Sequence, residues 1–366
     1  MISTRNIENR AFFSEFERSI SEKGNIYYKI TSKIFEKLNL SQEIKSISPL
    51  NSSGNYDTYE LSCDEVDFIL KISLDPKDIS LTNESLFYKN NHDQTLCNYI
   101  DSGVIKVGDE IRFLLLENNL GLNINELGRS YVLKNIDSLF FALINQRKLV
   151  AVDTIKQYIE KLDKEVSLED LSEFSLSDIK HYQDVSLLSG LIKDFKSSIK
   201  LLSDNDFIKK SEFCHGNLGM ESITSLDGLY KFCDFDHCFL GNQFLDISLL
   251  VLNINGQERD FNSFCKKYCD LLGLDFELKK EEARHCLKLA CSIFLLRLVY
   301  EFIIEQCIYK NSREDKIINI VKKLEESQWA IKKLDLKEET TLYIEKIFKE
   351  PVDFDKELRE KYQEDN

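Results

Sequence analysis

Between Ser211 and Ser248 the chain reads SEFCHGNLGMESITSLDGLYKFCDFDHCFLGNQFLDIS, and side chains able to do polar chemistry recur there at short spacing. The apolar pair Phe213-Cys214 leads into His215-Gly216-Asn217, and Ser222 follows five places after Asn217. Leu229 to Phe235 then reads as a strand ending in Cys233-Asp234-Phe235-Asp236, with Asp227-Gly228 as turn residues between the two halves. That is a hairpin pattern. Hard carboxylate oxygens such as those of Asp234 and Asp236 suit Mg²⁺, which binds through one or two carboxylates while retaining water. An amide such as that of Asn217 can orient a hydroxyl but cannot accept its proton. A hairpin of this kind can therefore hold an acceptor-orienting group and a metal-binding carboxylate close together.

The rest of the chain must position these groups. Apolar spacing predicts helices around Phe12, Phe13, Phe16 and Ile20, and again over Tyr27, Ile30, Ile34 and Leu38. From Ile44 the period shortens. Ile44 to Leu50, Tyr56 to Cys63 and Val66 to Ser73 read as antiparallel strands, followed by Tyr99 to Lys106 and Ile111 to Glu117 around Gly108-Asp109. After Gly121 helical periodicity dominates: Val132 to Leu149, Ala151 to Leu162, Ser177 to Leu202, Phe244 to Leu252, Glu281 to Cys307, Glu314 to Lys333 and Glu338 to Lys349. Ser175-Leu176-Ser177-Asp178 has capping-box spacing at the start of the third of these. The expected architecture is α+β, with a small antiparallel sheet and a larger helical part. Residues 1–40 form an N-terminal helical extension, 41–118 the sheet lobe, and 119–366 the helical lobe carrying the hairpin 211–248.

His215-Gly216-Asn217, Ser222, Asp234-Phe235-Asp236, Gly241 and Asp246-Ile247-Ser248 together resemble the catalytic core of the aminoglycoside phosphotransferase and choline kinase family, relatives of the protein kinases. That family's pattern is His-Gly-Asp, four residues, Asn, a strand ending in Asp-aromatic-Asp/Glu, and later a Gly and an Asp-Leu/Ile-Ala/Ser. The match runs from the strand lysine to Asp246, about half the chain. The resemblance implies a two-lobed, protein-kinase-like fold and transfer of the γ-phosphoryl group of ATP, with Mg²⁺, to a hydroxyl of a small molecule or peptide. Lys71, late in the strand Val66 to Ile72, would hold the nucleotide phosphates, paired with Glu84 from the next helix. Gly54, in the small polar turn Asn51 to Asn55, would belong to the phosphate-covering loop, and Glu117 to the hinge whose backbone meets the adenine edge. Asp234 would be the main magnesium ligand, with Asp236 and Ser222 assisting, and His215 and Asp246 would brace the loop. Two positions depart from the pattern. Asn217 stands where the catalytic Asp is expected, and Ser222 where the metal-binding Asn is expected. General-base catalysis is worth about 10²- to 10⁴-fold, so turnover without it should be slow. A pseudokinase that senses nucleotide or binds a protein partner is the second reading, and nucleotidyl transfer stays open.

Composition limits the partners. A net charge of −15 and an isoelectric point near 5.0 disfavour non-specific binding to nucleic acid or anionic membrane. No apolar stretch approaches the roughly 20 residues of a membrane span, and the start Met1 to Arg5 leads into no apolar signal core. The ten scattered cysteines then read as reduced thiols of a cytoplasmic protein. Cys233/Cys238 and Cys265/Cys269 lack the two-residue spacing of zinc knuckles, and His237 and His285 read as surface or satisfied interior residues.

Overall fold

The computed structural model describes residues 26–52, 56–118, 121–151, 153–166, 185–219, 221–226, 228–308, 322–323 and 326–334. Within these, helix α1 (Ile26–Leu38) precedes strands β1 (Ile44–Ser52), β2 (Asp57–Cys63) and β3 (Phe68–Ser73). Helix α2 (Ile79–Asn90) follows, then β4 (Asn98–Val107) and β5 (Asp109–Glu117), the two-residue β6 (Leu122–Asn123) and helix α3 (Ile136–Gln146). Helices α4 (Ile155–Glu165) and α5 (Val185–Ser203) lead to the short strand β7 (Glu212–Cys214) and the hairpin strands β8 (Ile223–Leu226) and β9 (Leu229–Phe232). The chain then runs through α6 (Phe244–Asn253), α7 (Glu258–Leu271) and the 33-residue α8 (Phe276–Ile308). The α+β class expected from the sequence is observed. The helix around Phe12, Gly54, the capping box at Ser175 and the helix from Glu338 lie outside the described residues.

The chain divides into two compact units. One comprises Ile2–Val152 with Met220–Phe239, and the other Asp153–Gly219 with Leu240–Asn366. The division thus falls after Val152, not after Asn118, and the hairpin strands belong with the sheet. Hydrogen bonding explains this assignment. β6 pairs with β8 at Leu122↔Ser225, the Phe232 N–H donates to the Thr95 carbonyl at 2.9 Å, and the Tyr131 and Ser225 hydroxyls lie 3.0 Å apart.

In the sheet unit, five antiparallel strands run in the order β1-β2-β3-β5-β4. Side chains alternate across a strand, and β3 is buried along its whole length. Phe68, Leu70 and Ile72 enter the core formed with Tyr27, Ile30, Ile34 and Phe35 of α1. Burial of four such side chains contributes several kcal/mol, at roughly 1.5–3 kcal/mol each. Lys71 therefore projects from the opposite face of the same strand, towards α2. That helix is started by Asp78, whose carboxylate accepts the Leu81 N–H at 3.0 Å.

In the helical unit, α6 is buried from Phe244 through Leu252. It packs with α7 and α8, and α5 lies against α8. Helix α7 is absent from the sequence reading, although Phe261, Phe264, Cys265 and Tyr268 form one buried stripe at helical spacing. Among the described residues no helix is long and apolar enough to cross a membrane.

Candidate functional site

In the sheet unit, Lys71 and Asp234 meet although 163 positions separate them in sequence. The Lys71 ammonium donates to Glu84 Oε1 at 2.7 Å, to Glu84 Oε2 at 2.9 Å and to Asp234 Oδ1 at 2.5 Å. An ammonium has three donors, so the set is complete. Tyr56 covers the cluster with its ring centroid 5.1 Å from the ammonium, a cation–π geometry. Lys71 is 2% exposed and Glu84 fully buried, whereas the Asp234 side chain is 32% exposed. Burial opposes the Lys71 charge, but the Asp234 and Glu84 carboxylates outweigh it and hold the ammonium above the ordinary lysine range. Burial likewise pushes the Glu84 carboxyl upward, against the pull of Lys71.

The hairpin presents Asp234 by an unusual backbone. The strand stops at Phe232, and Asp234 takes the left-handed conformation, φ 65° and ψ 59°, before a single turn of 3₁₀-helix over Phe235–His237. A non-glycine residue there is strained. Local bonds hold it. The Cys233 N–H donates to the Ser222 carbonyl at 3.0 Å, and the Phe235 N–H to Glu84 Oε1 at 3.2 Å. The Phe235 ring stacks on Phe87 of α2 at 4.2 Å between centroids and meets Tyr88 edge-on at 5.6 Å. Asp236 is buried and lies 3.5 Å from His237 Nε2. Ser222 is also buried, in the turn before β8. Glu117 ends β5, where its carboxylate accepts from the Asn98 amide at 3.0 Å. Gly54 is outside the described residues.

Two carboxylates two positions apart, one of them partly exposed, fit Mg²⁺, which is ordinarily bound through one or two carboxylates together with substrate phosphates. Among the described residues no group of three or more His, Cys, Asp or Glu side chains forms a protein-only metal cage. The cysteines are poor ligands. Burial pushes the Cys214, Cys233, Cys265 and Cys286 thiols well up, away from the thiolate that ligation requires.

In the helical unit, the His215-Gly216-Asn217 loop follows β7 and is fastened from α6. Asp246 Oδ2 accepts the His215 N–H at 2.7 Å, and Oδ1 the Gly216 N–H at 3.0 Å. Burial pushes the Asp246 carboxyl up to about 7, while those two backbone bonds pull it down. Asn217 is held from a residue that the sequence reading places only as a charge interrupting the helix. Arg297 of α8 donates to Asn217 Oδ1 at 2.8 Å and to the Gly216 carbonyl at 3.4 Å. Its second amino group donates to the Tyr158 hydroxyl at 3.2 Å, and that hydroxyl donates to the Gly216 carbonyl at 3.1 Å. The signal was a lone cation inside the apolar run Ala290 to Val299. Tyr56 and Tyr158 have no comparable mark in the sequence.

No family model matches the sequence, and no curated protein sequence matches it. Solved structures do. A thermostable mutant of aminoglycoside phosphotransferase APH(4)-Ia, in ternary complex with ADP and hygromycin B, superimposes with a TM-score of 0.56 at 7% identity, covering 84% of this chain and 99% of that one. Amicoumacin kinase hAmiN, in complex with AMP-PNP, Ca²⁺ and its substrate, gives 0.54 at 15% identity over 82% and 93%. The choline kinase LicA in complex with AMP gives 0.53 at 14% identity over 84% and 97%. At such low identity the likeness concerns architecture, and the chain has the fold of the small-molecule phosphotransferases related to protein kinases.

Proposed function

We propose that this protein is an ATP-dependent phosphotransferase that moves the γ-phosphoryl group to an oxygen of a small molecule or peptide. The observation that carries the reading is the Lys71–Glu84–Asp234 cluster, assembled from a sheet strand, a helix and a hairpin tip. Phosphoryl transfer asks the protein mainly for positioning and charge neutralisation. Lys71 would hold the nucleotide phosphates, with Glu84 keeping the ammonium in place from the buried side. All three Lys71 donors are committed, so a phosphate oxygen must replace one partner. Asp234 is the partly exposed one and is the partner that exchanges. Once released, Asp234 would hold Mg²⁺ together with Asp236, and the bound ion supplies further neutralisation of phosphate charge. Ser222, being buried, supports the hairpin turn and reaches such a site only after a local shift.

Asn217 and Ser222 favour the second reading, a pseudokinase that binds nucleotide without turning it over. The two separate experimentally. Isothermal titration of the wild-type chain with ATP and Mg²⁺ should show binding, and a turnover assay with an acceptor panel should show ADP release. Wild-type protein that binds no nucleotide overturns both readings. Turnover that arises only after Asn217→Asp with Ser222→Asn assigns the protein to the second.

A further inference from the structure

The loop at Asn217 bears on the acceptor, and the following rests on the phosphotransferase reading. Arg297 sits in an otherwise apolar stretch of α8, only partly exposed, and donates to three neutral oxygens, those of Gly216, Asn217 and Tyr158. Among the described residues no carboxylate lies within ion-pair distance of it, in a chain with 63 acidic residues to 48 basic ones. The carboxyl nearest along this loop is Asp246, whose two oxygens accept the His215 and Gly216 N–H groups. A cation withdrawn from water without a counter-charge is costly, so its retention calls for a negative partner that the chain does not supply. A guanidinium is donor-only. The Asn217 atom facing it is therefore the amide oxygen, and the amide NH₂ is directed away. At the acceptor-orienting position the protein thus offers donors beside a positive charge, and no group able to take a proton.

We infer that the acceptor presents an oxygen that is already ionised, a carboxylate or a phosphate, and that Arg297 is the positioning residue that sets this preference. The chemistry balances without a base. A lone pair of the acceptor oxygen forms the new bond to the γ-phosphorus as the bond from that phosphorus to the β,γ-bridging oxygen breaks. The electron pair leaves with ADP, and no proton is transferred. The product is an acyl phosphate or a phosphoanhydride. A neutral hydroxyl, by contrast, must lose its proton during the transfer, and a guanidinium beside the receiving atom opposes that.

The test uses the full chain with saturating MgATP and matched acceptors, each an alcohol compared with the carboxylate and the phosphate ester of the same skeleton, with ADP release followed from pH 6 to 9. Wild type should favour the ionised members at least tenfold, with a rate flat in pH. Arg297→Gln, checked for folding by its circular dichroism melt, should lose that preference, and Arg297→Lys should restore part of it. Asn217→Asp should reverse the preference towards alcohols. Faster turnover of alcohols by wild type, or an Arg297→Gln variant with unchanged preference, overturns the inference. So does wild type that binds MgATP and turns over neither class. Wild type that binds no MgATP instead overturns the phosphotransferase reading beneath it.

Discussion

The lysine cluster of the sheet unit and the Asn217 loop of the helical unit carry opposite electrostatic arrangements. Around Lys71 one cation meets two carboxylates, so every formal charge has a neighbour of opposite sign. Around Arg297 one cation meets only carbonyl, amide and hydroxyl oxygens. A self-paired cluster is stable without ligand and must exchange a partner to bind one. A cation held by neutral oxygens keeps an unspent field, worth about 4 kcal/mol to a charge 4 Å away at an effective dielectric near 20. The comparison teaches that drift from the family pattern at Asn217 involves more than one lost carboxylate, because the surrounding charge now favours an anion.

Breaking the first arrangement should have the largest effect. Lys71→Met keeps the volume but leaves Glu84 buried and unpaired, and removing one partner of a buried pair costs about 3–5 kcal/mol. Urea unfolding should show that loss at pH 8. The deficit should shrink as the pH falls, because Glu84 already tends towards its neutral acid through burial. Nucleotide binding should be lost at every pH.

Asp246→Asn tests the fastening of the second region. It removes one of two acceptors for buried backbone N–H groups and should cost about 1–3 kcal/mol. The pH dependence has a definite sign. The folded carboxyl is raised from 3.8 to about 7, so the folded chain holds a proton that the unfolded chain releases. Its stabilising contribution is complete below pH 3.8 and is lost as the pH rises through about 7. Melting curves across that window should slope downward for wild type and flatten for Asp246→Asn.

The smallest effect sharpens the comparison at Tyr56. Tyr56→Leu removes the aromatic face over the ammonium but leaves both carboxylates, and should cost about 0.5–2 kcal/mol. A larger loss would mean that the ring, and not the ion pairs, holds Lys71 in place.

Much of this was readable in the residues. The strands from Ile44 to Glu117 show period-two burial, and Gly228, at φ 81°, marks the hairpin turn. Lys71, Glu84 and Asp234 were legible because an ionisable residue at the end of an apolar run stands out against it. The 3₁₀ turn after Asp234 was not, since Phe235 fits a continuing strand equally well and only its stacking on Phe87 decides otherwise. Arg297 was hidden for a different reason. Helix α8 is apolar on most sides, so its few charges read as solvent-facing, and only tertiary packing shows which one turns inward. Helix α7 carried its buried stripe openly, but its cysteines invite a reading by metal spacing instead.

The stack of Phe235 on Phe87, taken with the bond from the Phe235 amide to Glu84, has a mechanical consequence. It rivets the hairpin tip to α2, so that Glu84 and Asp234 travel as one rigid piece. Any agent that tilts α2 must carry the exchangeable carboxylate with it, and the affinity for nucleotide can then be set from the far side of that helix without a single contact to phosphate.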